Sequence, residues 1–289
     1  MFKRTVTIIL LLSFLGCAFP KPKPTIYMDA DTSVIALVLG EGIARSFAHV
    51  GVIKALQEAK IPIHMVVGSG MGSFMGALYA NKGSANDLEW HALSFQQKDY
   101  FDYTLLQKSE LIAGSRLRKF LNSRLVHTRI ERLPILFISV TTDLKTGQPY
   151  LFEEGLITEA VQAGMAIPGI FSPIQRRDKL LVSGEIRQGI PVDVAIQKGA
   201  DLIIAVDLTQ GIDRYRFSKG RDMAIQSYKI ASAALSQEQL KKAHVVIRPD
   251  VAHIDFLDFS AKRQAMLAGY EAAKQMLPDL YEILSMEEE

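Results

Sequence analysis

The chain is poor in cysteine. Its 289 residues include one, Cys17, and a single tryptophan, Trp90. A folded domain beyond residue 17 therefore has no thiol, which excludes a disulfide framework and a thiolate metal site. An oxidising compartment would do it no harm. Excess charge is also missing, with 33 basic against 31 acidic residues. Setting aside Lys3 and Arg4 leaves 31 of each sign. No basic stripe interleaved with aromatics is present, so no nucleic-acid partner is expected. "RRDK" at Arg176 is short, contains an acid, and reads as a solvated loop. No H-E-x-x-H or close histidine–carboxylate set exists. His253, Asp255 and Asp258 read as a loop and helix cap, so no metal is expected. A Walker loop is lacking as well, which removes that route to phosphoryl transfer.

What is there begins with a basic pair, Lys3 and Arg4, and an apolar run from Val6 to Leu15. The run is too short for a comfortable transmembrane helix and reads as an export signal over 1–16. It stops at "FLGC", which resembles a bacterial lipobox with phenylalanine where leucine is usual. Cys17 would then be the lipidated first residue of the mature chain. Ala18 after it resembles outer-membrane sorting. The expected location is thus the bacterial envelope, lipid-anchored at the outer membrane and facing the periplasm. A soluble periplasmic protein with an ordinary cleaved signal is the alternative, and a cytosolic protein a third. Residues 17–33, rich in proline, read as a tether.

The domain proper is expected from Val34 to about residue 280. "VIALVLG", "IPIHMVVG", "LPILFISV" and "ADLIIAVD" are continuous apolar runs, the mark of strands buried on both faces of a parallel sheet. Helical periodicity follows the first two, and a long amphipathic helix covers "FSAKRQAMLAGYEAAKQML". "QPYLFEEG" reads as a hairpin arm. "ITEAVQAGMAIPGI" reads as a short helix broken at Pro168, and another helix starts near Pro191. Residues 86–132 form a polar and aromatic helical insert whose cluster "FQQKDYFDY" packs on the core or lines a mouth. The tail 281–289 is read as frayed. The fold class is α/β: an open, mostly parallel sheet sandwiched by helices.

Two glycine-rich corners carry the chemistry. "GSGMG", Gly68 to Gly72, has the strand–corner–helix layout of a nucleophile elbow, with Gly68, Met71 and Gly72 around the apex. The apex is Gly70, which offers no nucleophile. Directly after the first strand, Gly40, Glu41, Gly42, Ile43, Ala44 and Arg45 form a loop whose amides and guanidinium suit an oxyanion or another anion. Glu41 inside it opposes an anion, and Arg45 has the alternative of pairing with a nearby acid. The loop lacks a third Rossmann glycine, and no acid closes the next strand, so no nucleotide is expected.

Those blocks, with "TTDLKTGQPYLF", "AVQAGMAIPGIFSPI" and "LLVSGEIRQGIPVDVA", resemble the bacterial patatin-like phospholipases over nearly all of Val34 to Leu277. The resemblance implies a patatin-like fold and a serine–aspartate dyad acting on acyl esters. At matched positions the dyad is absent: its serine falls on Gly70 and its aspartate on Ser183. Two further departures are Ser46, where the family has glycine, and Gly164, where it has serine.

Substitutes are open. Ser69 and Ser73 are the nearby hydroxyls, and Glu185 and Asp207 the carboxylates. Asp143 is a turn acid that also stands at a strand end. His49, His64 and His91 read as structural. The expectation is a catalytically impaired, lipid-metabolism-related envelope lipoprotein that binds a lipid, an acyl-containing ligand or an envelope protein, without a cofactor. The alternatives are an active ester or phospholipid hydrolase with a remodelled serine site, and a purely structural interaction protein.

Overall fold

In a computed structural model, residues 33–101, 112–211 and 220–285 are described. The leader, Cys17, the tether to residue 32, part of the helical insert and residues 286–289 lie outside them.

The described strands build one sheet. β1 (Ile35–Leu39), β2 (Met65–Gly68), β3 (Leu136–Asp143), β7 (Leu202–Val206) and β8 (Val245–Ile247) run parallel in the order β3-β2-β1-β7-β8. β4 (Pro149–Phe152) and β6 (Lys179–Ser183) pair antiparallel with β3, and β5 (Ile174–Arg176) pairs antiparallel with β6. Every residue of β1 and of β7 is buried. Alternation sends Ile35, Leu37 and Leu39 into one apolar layer and Ala36 and Val38 into the other. That two-sided burial is why these strands are unbroken apolar runs. No helix of the described residues is long and apolar enough to cross a membrane.

α1 (Ala48–Glu58) and α2 (Met71–Lys82) follow β1 and β2. The insert holds α3 (Ala85–Ser94), α4 (Gln97–Tyr100) and α5 (Ser115–Asn122). Its aromatics pack inward: Phe95 lies 4.5 Å from Phe74 and 5.0 Å from Phe120, ring centre to centre. α6 (Ile157–Gly164) ends before the expected break at Pro168, with Met165 as its cap. α7 (Val192–Gln197) starts directly after Pro191. The "RRDK" stretch is not a plain loop. Arg176 ends β5 and Lys179 begins β6, with Arg177 turning between them at φ 53°.

α8 (Gly220–Leu240) has no counterpart in the sequence reading. α9 (Lys262–Ile283) closes the chain against α1. Two glycines set that seam. A Cβ on Gly51 would fall 1.8 Å from the Met266 carbonyl oxygen, and one on Gly269 would fall 2.0 Å from that of Ala48. Only glycine lets the two backbones meet this closely.

Candidate functional site

β2 delivers the chain to a tight corner at Gly70. Its φ of 57° and ψ of −135° are a strained elbow conformation, and α2 starts at the next residue. Gly72 is demanded by approach to the neighbouring strand, since a Cβ there would lie 2.1 Å from the Leu39 carbonyl oxygen. The elbow is therefore built in full apart from its side chain.

Another residue fills the apex. A Cβ on Gly70 would fall 1.8 Å from Oε1 of Glu185. Glu185 sits in the single turn Gly184–Ile186 that follows β6, with its backbone N–H donating to Ser183 Oγ at 3.3 Å. The matched dyad positions, 70 and 183, are thus bridged by one glutamate. Ser183 is fully buried.

Glu185 is 3% exposed. Burial pushes its carboxyl well above the usual carboxylate range, and the charge of Glu41 beside it acts in the same direction. Glu41 lies beside this carboxyl, and the Tyr228 hydroxyl donates to Oε2 at 3.1 Å. Glu41 accepts from Ser232 Oγ at 2.9 Å. Burial lowers Lys229 to about 8, against the pull of Glu41 and Glu185. Its ammonium lies 2.9 Å from the Phe256 ring centre. The result is an acid pair, Glu185 buried and Glu41 half-buried, with one cation and one phenol at the place of the nucleophile.

The remaining candidates do not converge on it. Ser73 donates to the Gly68 carbonyl at 2.9 Å and lies 3.0 Å from Ser139 Oγ. Ser69 Oγ is buried and has no hydrogen-bond partner among the described residues, so no histidine or carboxylate holds it. It lies against Gly184, 2.9 Å from where a Cβ would be. Asp207 binds Thr209 N–H at 3.0 Å and its hydroxyl at 2.7 Å, and faces Arg248 at 3.4 Å. Asp143 caps its own turn through Thr146 and the Leu180 N–H. His49 Nε2 lies 2.9 Å from the Gly40 carbonyl, and burial lowers it to about 4, so it is neutral. His64 Nδ1 accepts the Ile35 N–H at 3.1 Å, an edge bond of β1. His91 stands on α3.

In the anion loop, Arg45 is bonded to backbone carbonyls. Its guanidinium donates to the carbonyls of Ile254 at 2.8 Å and Ala252 at 3.1 Å and to that of Gln210, with Phe256 beneath it at 3.9 Å. It clamps two loops. The Ala44 N–H is spent on the Phe256 carbonyl at 3.0 Å. Ile43 takes a positive φ of 46° and, like Ala44, is buried. Gly40, Glu41 and Gly42 remain beside the acid pair through Glu41.

Tyr228, Lys229 and Ser232 were not legible as site residues. At helical spacing, Gln226, Lys229, Ser232 and Ser236 look like the solvated face of an ordinary surface helix. In the structure that face points inward.

The model of the patatin-like phospholipases matches residues 37–196. The chain belongs to that family. Among curated proteins, the chain is 29% identical over 276 residues to an uncharacterized NTE family protein of Mycobacterium tuberculosis, covering 85% of this chain and 47% of that one. It is 33% identical over 184 residues to patatin-like phospholipase domain-containing protein 6 of Homo sapiens, covering 61% of this chain and 13% of that one. The chain thus spans about half the length, or less, of these relatives. Among solved structures, VipD from Legionella pneumophila superposes with a TM-score of 0.50 at 15% identity, over 85% of this chain and 66% of that one. At that identity the likeness speaks for the patatin-like fold alone. The matched segment holds both glycine-rich corners, Ser183 and Glu185, whereas α8 lies beyond it.

Proposed function

We propose that this patatin-like protein does not work as a serine hydrolase and that its role is to bind a lipid or another acyl-containing ligand. One observation carries the reading: the space of a nucleophile at residue 70 is taken by the Glu185 carboxyl. A hydrolase of this family needs a hydroxyl at the apex with a base within reach. Ser73 is committed to a backbone carbonyl, and Ser69 has no base. Family membership supports a lipid or acyl ligand, and Cys17 supports an envelope lipoprotein held at a membrane.

A fluorophosphonate probe followed by peptide mass spectrometry tests the catalytic half. The expected result is no adduct and no release of product from short or long acyl esters. An adduct on Ser69 or Ser73, with turnover lost on its substitution, overturns the reading. Binding of a pyrene-labelled phospholipid tests the other half.

A second reading rests on the acid pair. Glu185, once ionised, would take a proton from water attacking an ester, with Lys229 or Glu41 returning one to the leaving alkoxide. Turnover without any serine adduct, abolished in Glu185→Gln, would favour it.

A further inference from the structure

Lys229 is 5% exposed on α8, and its amine makes no hydrogen bond and no ion pair among the described residues. What it touches is a ring. Nζ lies 2.9 Å from the centre of Phe256, and the Arg45 guanidinium stands 3.9 Å from the same centre. A buried amine with unspent donors is costly, so its retention asks for something that engages it. The neighbours narrow what that is. Glu41 and Glu185 act on Nζ through their charge, which opposes an anion here. Burial makes Glu185 hold its proton tightly, so a proton donor stands beside the amine. The Tyr228 hydroxyl steadies that carboxyl at 3.1 Å. Burial, then the charges of Glu185 and Glu41, push the Tyr100 hydroxyl well above its usual range, which places it at the same site. Burial also lowers Lys229 to about 8, with Arg45 acting in the same direction against Glu41, Glu185 and Asp255. At neutral pH far more of it is free amine than of a surface lysine.

We propose that Lys229 is the nucleophile of a carbonyl-capture site, which takes a neutral aliphatic aldehyde as a Schiff base. Nζ and the Glu185 carboxyl act on each other through charge but are not bonded. A carbonyl between them receives the nitrogen on its carbon and a proton on its oxygen. Nζ adds to the carbonyl carbon, and Glu185 protonates the oxygen and takes a proton back from the nitrogen, giving a neutral carbinolamine. Glu185 then protonates the hydroxyl, which leaves as water, and the last N–H proton returns to the carboxylate. One imine and one water form, nothing is oxidised or reduced, and Glu185 ends as it began. The Phe256 ring suits an apolar chain on the aldehyde. No hydroxyl at residue 70 or elsewhere takes part, so the step stands whether or not a serine probe reacts.

The test uses the unaltered full-length chain at pH 7. It is incubated with a deficit of butanal and with cyanoborohydride, which fixes a Schiff base as a secondary amine. Peptide mass spectrometry then locates the adducts. The other lysines serve as internal standards, among them Lys241, whose side chain is 68% exposed. An adduct at Lys229 forming severalfold faster than that at Lys241 is expected. Glu185→Gln should slow the Lys229 adduct by on the order of tenfold to a hundredfold and leave the Lys241 adduct unchanged. A Lys229 adduct no faster than that at Lys241 overturns the inference. Formaldehyde in place of butanal separates two ways of failing. Methylation of Lys229 without its butyl adduct shows a reachable amine that holds no larger aldehyde, and absence of both shows an amine sealed from solution. An equal rate in Glu185→Gln overturns the part given to that acid.

Discussion

Oε1 of Glu185 stands 1.8 Å from the point where a side chain on Gly70 would begin. No ordinary side chain fits at residue 70 while this carboxyl stays in place. The substitution at the elbow and the glutamate after β6 are therefore one structural fact.

Restoring serine at the elbow should fail by itself. Gly70→Ser meets the Glu185 carboxyl and must adopt a φ of 57° that favours glycine. A loss of about 2–4 kcal/mol in urea unfolding is expected from overpacking and backbone strain. Adding Glu185→Ala should recover part of it. Equal stability of Gly70→Ser and the native chain would show that the carboxyl is easily displaced.

Stability should fall as pH rises through the acid range and beyond. Glu185 holds its proton more tightly in the folded state through burial and the neighbouring Glu41, whereas an unfolded glutamate loses it near about 4.3. The folded chain then holds the extra proton, and its advantage is complete below the unfolded value and lost as pH climbs through the folded one. Glu185→Gln should flatten this slope. Urea midpoints are best compared below the region of Lys229, lowered to about 8, whose lowered value acts with the opposite sign above it. Parallel profiles for the two proteins would refute the raised Glu185 carboxyl.

Arg45→Lys should destabilise the fold by about 2–4 kcal/mol, because an ammonium cannot replace a buried planar fork bonded to three separate carbonyls. Binding of a labelled phospholipid by the fraction that stays folded should be unchanged, since the guanidinium faces Ile254, Ala252 and Gln210. Lost binding with intact stability would return Arg45 to the role of anion ligand.

The sheet was legible because its parallel strands are buried on both faces, which forces unbroken apolar runs such as Ile35–Leu39 and Leu202–Val206. The elbow was legible because close approach at Gly72 permits no side chain. The spacing of glycines survives even where the nucleophile does not. Glu185 was one candidate among several, since a residue beside a glycine turn has no orientation fixed by pattern alone. Its partnership with Glu41 joins positions 144 residues apart through a sheet edge, which no local periodicity encodes. α8 escaped notice for a different reason. Its apolar and polar faces are exchanged relative to the rule by which helices are placed, so the residues that complete the site resemble solvent-facing ones.

The seam between Gly51 and Gly269 has a consequence in time. It joins the first crossover helix to the last helix of the domain, so α1 lacks its mate until more than two hundred further residues have been made. A growing chain must wait with that flank uncovered, a contact pattern of high sequence separation that slows folding. Until then the first crossover stays free to move, and the seam locks it only when the two glycines meet.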